Sequence, residues 1–178
     1  MKPRTRVEHE KMEREYLQKN AAFSSDPKYT ERSYPYEADH YRGEFHRDYT
    51  RIIHCRSFRR LRHKTQVFIS PRNDHLCTRM EHSLHVASVA KTIARALCLN
   101  EDLVEAMAVG HDLGHAPFGH KGEKILREIA ENNGSSFSHE LHSLRLVDTL
   151  DSPYPNHPGL NLTFAVRDGI ACHYGEGF

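Results

Sequence analysis

An all-α bundle is the fold class that this sequence predicts, on three observations. After residue 40, apolar residues recur every three or four positions through most of the chain. No segment sustains a two-residue alternation, and no internal repeat is evident. The periodic stretches stop at glycines and prolines, notably Gly114, Pro117, Gly134 and Pro153. With 178 residues the chain is long enough for one domain with a real core. Residues 1–40 read as a charged N-terminal helix followed by an irregular arm, and residues 41–178 as the main helical domain.

In chain order, residues 3–19 form a charged helix with few apolar anchors. Residues 20–40 are turn-rich and contain Pro27 and Pro35. From Tyr41 to Leu61, the spacing of Phe45, Tyr49, Ile52, Cys55, Phe58 and Leu61 predicts one amphipathic helix with its arginines mainly on other faces. Val67 to Ser70 is a short β-prone piece closed by Pro71, and a loop follows to residue 76. A long helix runs from Thr78 to Leu99, with Met80, Leu84, Ala87, Ala90, Ala94 and Leu97 as its inward stripe. The next, Glu101 to Leu113, turns Leu103, Met107 and Gly110 inward. Another spans Gly119 to Asn132. A fifth starts near Ser138 with Leu141, Leu144, Val147 and Leu150 as its stripe, and a last one starts near Leu162 after a proline-rich connector.

Composition excludes several classes. Net charge is +1, which gives no global attraction for nucleic acid. No apolar run approaches the ~20 residues of a membrane span, and the charged N-terminus lacks a signal-peptide core. The four cysteines form no CxxC pair, so neither a zinc knuckle nor a disulfide framework is expected, and reduced thiols in a cytoplasm fit best. Fifteen histidines are many for this length, and several cluster between His111 and His142. The excess is therefore a local chemical signal.

The strongest part of that signal is His111-Asp112, in the run HDLGHAPFGHKGE, preceded by TRMEHS. Adjacent helix positions do not face one another. An ion shared by His111 and Asp112 must sit over the helix end that Gly114 creates, where His82 can reach it from an antiparallel neighbour. Imidazole and carboxylate together suit Mn, Fe, Co, Zn or Mg. A zincin-like site using His111 and His115 is disfavoured, because position 112 is Asp and Gly114 to Pro117 break the helix. His115, His120 and Glu123 follow as proton-transfer groups. His120 and Glu123, three apart at a helix start, can meet and orient water or protonate a leaving oxygen. His139-Glu140 is assigned to the site as well, and His142 to structure or surface. Residues 41–64 carry eight Lys/Arg against Glu44 and Asp48. Arg59, Arg60, Arg62, Lys64 and Arg79 can neutralise a polyphosphate, and Arg79 shares a helix face with His82. This constellation points to metal-assisted hydrolysis of a phosphate ester.

Four blocks in order, FHRDYTRIIHCRSFRRLRHKTQVF, TRMEHSLHVASVAKTIAR, HDLGHAPFGHKGE and FSHELHSLRLV, resemble the HD superfamily of metal phosphohydrolases, in its deoxyguanosine triphosphate triphosphohydrolase-like branch. The resemblance covers roughly Tyr41 to Phe178. It implies an HD-domain helical bundle that hydrolyses deoxynucleoside triphosphates to deoxynucleoside and intact triphosphate, with Mn or Mg as the favoured ion. It matches His82, His111 and Asp112 to metal ligands and His120 to the catalytic histidine with Glu123 as its carboxylate partner. His139 aligns with a further active-site histidine, His115 and Arg79 with phosphate contacts, and Gln66 with a residue that reads the sugar 3′-hydroxyl. It also implies homo-oligomers, with single-stranded DNA or a nucleotide as a possible effector. The family's fourth ligand is an aspartate on a later helix, beyond the matched region. The chain end at Gly175 to Phe178 reads as a C-terminal truncation, so weak metal binding and slow hydrolysis are expected of the 178 residues alone. Asp148, Asp151 and Asp168 are the remaining candidates for that ligand. Two alternatives stand beside this reading: an HD phosphohydrolase acting on a nucleoside monophosphate or signalling nucleotide, and a nucleic-acid-binding module with a vestigial metal site.

Overall fold

The computed structural model describes residues 3–64 and 77–172. Among these the secondary structure is helical, and the described part is an all-α bundle. Gln66 and the β-prone piece at Val67 to Ser70 lie outside the described residues.

Thr5 opens the first helix, α1 (Arg6–Tyr16), with a capping box to Glu8. The arm that follows includes one short helix, α2 (Pro27–Thr30), capped by Asp26. Two buried acids tie this N-terminal region to the bundle. Glu13 accepts from Ser24 N at 2.8 Å and Oγ at 2.6 Å and from Asn100 Nδ2 at 3.1 Å. Glu44 accepts from Arg32 of the arm, as described below.

The predicted helix from Tyr41 to Leu61 is in fact three pieces: α3 (Glu44–His54), α4 (Arg56–Arg60) and a 3₁₀ turn (Leu61–His63). The break is at Cys55, whose backbone is extended (φ −72°, ψ 161°). Its thiol receives the Phe58 N–H at 3.3 Å, and Asp151 receives the Ser57 N–H at 2.7 Å. A distant carboxylate therefore satisfies the first turn of α4, and the apolar spacing survives the kink. Phe45, Ile52, Cys55, Phe58 and Leu61 are all buried.

Thr78 and Glu81 form a second capping box at the start of α5 (Arg79–Ala96). Its inward stripe differs from the expected one. Ala87 and Ala94 of that stripe are buried as expected, but Leu84 and Leu97 are exposed, and Arg79 and Ser83 are buried instead. The small residues let α5 lie close against α6 (Glu101–Gly110), which also packs on α3 and α9 (Phe164–Ala171). Gly110 permits that crowding, since a Cβ there would lie 2.7 Å from Ile170 and 3.3 Å from Ile52. The last two layers are α7 (Gly119–Asn132) and α8 (His139–Arg145), the latter continued by a π turn (Leu146–Leu150). Here too the expected stripe is only half right: Val147 is buried, but Leu141 and Leu150 are exposed.

The segment between α6 and α7 is held against α8. Gly114 N donates to Ser143 Oγ at 2.8 Å, and that hydroxyl donates to His111 O at 3.0 Å. A Cβ on Gly114 would fall 2.3 Å from Ser143 N, a backbone atom that cannot step aside. Gly114→Ala is therefore expected to destabilise the fold by about 1–3 kcal/mol, seen as a lower denaturant midpoint. An unchanged midpoint would show that α8 is not clamped there.

Candidate metal centre

His111 terminates α6 and Asp112 begins the turn that follows it. This helix end solves the facing problem for adjacent residues. His111 Nε2 lies 3.8 Å from Asp112 Oδ2, and the His82 ring, on the first turn of α5, stands 5.6 Å from the His111 ring. One ligand atom from each of His82, His111 and Asp112 falls within 4.8 Å of the others. The spacing and donor chemistry of this cradle fit a divalent ion. His111 is also in the right tautomer. Its Nδ1 faces the Ala108 carbonyl oxygen at 2.7 Å and must donate to it, which turns the Nε2 lone pair toward the cradle.

Asp112 is buried, and burial alone opposes its ionisation. His111, Arg79 and His115 more than offset that and hold its carboxyl below the ordinary value. The Arg79 contact is direct, Nη1 to Oδ2 at 3.0 Å. The Arg79 Nε is buried with no hydrogen-bond partner in the structure. Ordinarily such a donor is satisfied, so an orphan beside a metal cradle suits a ligand oxygen.

Of the candidates for a fourth ligand, Asp148 is paired with Arg167 at 2.7 and 2.8 Å. Asp151 is held by the Ser57 N–H, and Asp168 lies on α9 near Cys172. Among the described residues none of the three joins the His82, His111 and Asp112 group.

Beyond Asp112 the proton-transfer candidates gather. The buried His115 ring lies 5.8 Å from that of His120 and 5.4 Å from that of His139. His115 Nδ1 faces the Ala116 carbonyl oxygen at 2.9 Å, and its Nε2 is buried and unpartnered. Burial, with Arg79 nearby, pushes the His115 imidazole below its usual value, so it is neutral at pH 7. The expected His120–Glu123 pair is loose, at 3.7 Å, with the His120 side chain 80% exposed. Glu123 instead holds His139, receiving its Nδ1 at 3.0 Å and its backbone N–H at 3.2 Å. Glu140 approaches the same Nδ1 at 3.3 Å. Two buried carboxylates thus fix the ring and its tautomer. Burial would raise the Glu123 carboxyl, but His139 and Arg127 hold it below the ordinary range. Glu123, His139 and Glu140 form a second group with metal-compatible spacing. Arg62 lies on the exposed side of the 3₁₀ turn, outside these clusters.

Three features escaped the sequence reading. Ser143, the hydroxyl that joins the His111 turn to α8, carries no local signal inside a helix. Lys64 is one of many cations in its segment, yet its Nζ donates to His115 O at 2.7 Å. Arg32, whose importance is structural, sat in a segment read as an irregular arm.

Comparison with protein families matches residues 79–175 to the HD domain. The chain belongs to the HD-domain family. The His82, His111 and Asp112 cradle lies within the matched span of this HD-domain chain. Curated relatives carry the name deoxyguanosinetriphosphate triphosphohydrolase-like protein. The one from Caldanaerobacter subterraneus subsp. tengcongensis is 54% identical over 136 residues, which is 76% of this chain and 38% of the relative. That from Geobacter metallireducens is 47% identical over 167 residues, 94% of this chain and 43% of the relative. The HD-domain chain therefore spans about two fifths of the length of these relatives. Among its described residues no helix is long and apolar enough to cross a membrane.

Proposed function

We propose that this HD-domain protein is a metal-dependent hydrolase that cleaves deoxynucleoside triphosphates, such as dGTP, to the deoxynucleoside and intact triphosphate. The single observation that carries the metal-dependent part is the convergence of His82, His111 and Asp112 within 4.8 Å. The substrate class is supported by the names of relatives about half identical over most of this chain. Mn²⁺ or Mg²⁺ is the ion of this reading. Its wider setting, a homo-oligomer with a nucleotide or single-stranded DNA effector, follows from the resemblance alone, and a cytoplasmic location follows from its unpaired cysteine pattern.

When bound, the ion polarises a phosphoryl oxygen and lowers the pKa of a water molecule. The chain's own groups do the rest. His82, His111 and Asp112 hold and orient the centre. Arg79 lies against Asp112 and offers an unused Nε–H to a phosphate oxygen. His115 approaches as a neutral ring. A polyphosphate beside it favours the imidazolium, whose Nε2–H then becomes a donor. Glu123 and Glu140 fix the His139 imidazole, leaving it oriented for proton transfer. The exposed His120, 5.8 Å from His115, takes the role of protonating a leaving oxygen in this reading. In this arrangement Gln66, outside the described residues, keeps only its role implied by resemblance.

Product analysis tests the reading. With Mn²⁺ and dGTP, triphosphate and deoxyguanosine should appear in equal amounts. The assay is run on the 178-residue chain and on one extended to the length of the relatives. Pyrophosphate or orthophosphate as first product would assign a different phosphohydrolase chemistry.

A further inference from the structure

A cavity of about 160 Å³ is lined by the Leu113 to Pro117 segment that follows the His111-Asp112 pair. Arg60 of α4, Lys64 after the 3₁₀ turn and His142 of α8 line it, with Ser57 and His115 between them. Leu126 and Phe137 are among its apolar walls. Among the described residues its lining includes no carboxylate. Among the described residues neither Arg60 nor Lys64 forms an ion pair with a carboxylate. Lys64 spends one of its three donors on the His115 carbonyl oxygen. Burial first, and then Arg60, lower the Lys64 ammonium, against a smaller opposing pull from Asp112. His142 is held down by burial and then by Lys64, Arg145 and Arg60. Arg60 and Lys64 repel one another across a confined, partly apolar space, and the neutral His142 ring adds a polar nitrogen beside them. An anion there would relieve that repulsion, and the apolar walls strengthen its attraction by lowering the local dielectric.

We infer that this cavity is a phosphoryl-anion site, formed by Arg60, Lys64 and His142 and distinct from the metal cradle. The donor set suits phosphate oxygens: a guanidinium fork, an ammonium and an imidazole. Its occupant is either the distal phosphate of a nucleoside triphosphate reaching past His115, or a free phosphate or polyphosphate. The first source rests on the hydrolase reading above, and the second does not.

Calorimetry with inorganic tripolyphosphate in EDTA tests the site without metal or turnover. The protein should bind it, more weakly as salt is added. The Arg60→Gln, His142→Gln double variant should lose about tenfold or more in affinity, one charged hydrogen bond being worth at least that. Asp112→Asn should retain the site. Arg60 is exposed, so Arg60→Gln alone serves if the double variant misfolds. Equal affinities in wild type and Arg60→Gln would overturn the inference. Binding that requires Mn²⁺ and disappears in Asp112→Asn would overturn it too. Competition identifies the source. Displacement by dGTP but not by deoxyguanosine assigns the distal phosphate, and displacement by orthophosphate alone assigns a free anion. Tripolyphosphate binding that persists while a chain extended to the length of the relatives also fails to hydrolyse dGTP would leave the pocket standing and remove the hydrolase reading.

Discussion

Asp112→Asn is expected to reduce Mn²⁺ affinity by about 100-fold or more, since even groups that merely support metal ligands contribute about 10–100-fold. Hydrolysis should fall with it. A metal ion supplies several kcal/mol of charge stabilisation in phosphoryl chemistry, so a loss of roughly 10³-fold in rate is the expected scale. The substitution is nearly isosteric, yet it has a second consequence. Asp112 is the counterion of Arg79, whose side chain is only 10% exposed. Removing the carboxylate leaves that guanidinium buried and unpaired, so part of any lost activity will be lost stability. His82→Ala separates the two effects, because it removes a ligand and leaves the Arg79–Asp112 pair in place. It should lower metal affinity by a similar factor with little change in melting temperature. Isothermal titration with Mn²⁺ beside a thermal melt reads both. Undiminished metal affinity in His82→Ala would remove that histidine from the ligand set.

The largest effect on stability is expected at Arg32. Its side chain is 1% exposed and bonds Glu44 at 2.8 Å, Asp48 at 2.6 Å and the Asn161 carbonyl oxygen at 2.5 Å. It thereby ties the N-terminal arm to α3 and to the segment that leads into α9. Asp48 in turn accepts from Thr163 N at 2.8 Å and Oγ1 at 2.7 Å. Arg32→Ala leaves the buried Asp48 without its cation and Glu44 with Arg6 alone, at a cost of about 3–5 kcal/mol. For a chain of this size that corresponds to a fall in melting temperature of roughly 6–20 °C. The deficit should depend on pH. Burial would raise Glu44, but Tyr36 and Arg32 hold it below the ordinary carboxylate value. A depressed folded value means stability present above the unfolded pKa and lost as pH falls through the folded one. The gap between wild type and Arg32→Ala should therefore narrow in acid. Calorimetric melts at neutral pH and near pH 4 check it, and a gap that widens in acid would contradict the ion-pair account.

The helices were legible because apolar spacing reports which face is buried. The kink at Cys55 was not, because it depends on Asp151, far along the chain, receiving the Ser57 N–H. The α5 stripe misled for a different reason. Close packing against α6 selects small residues, so Ser83 turns inward beside the expected Ala87 while Leu84 faces out. In the site, the His111-Asp112 dipeptide and His82 could be read directly, since a helix end and one neighbouring helix bring them together. The partner of Glu123 could not. Local helix geometry favours His120, three residues away, whereas the closer imidazole is His139, across the Gly134 turn. Arg32 had no periodic neighbours to mark it, and its three partners are brought together only by the tertiary fold.

The claim on which the account turns is that one divalent ion sits between α5 and the end of α6. Anomalous scattering from crystals grown with Mn²⁺ addresses it most directly. The predicted result is a peak at bonding distance from His82, His111 and Asp112. A peak confined to Glu123, His139 and Glu140, or none at saturating Mn²⁺, would contradict it.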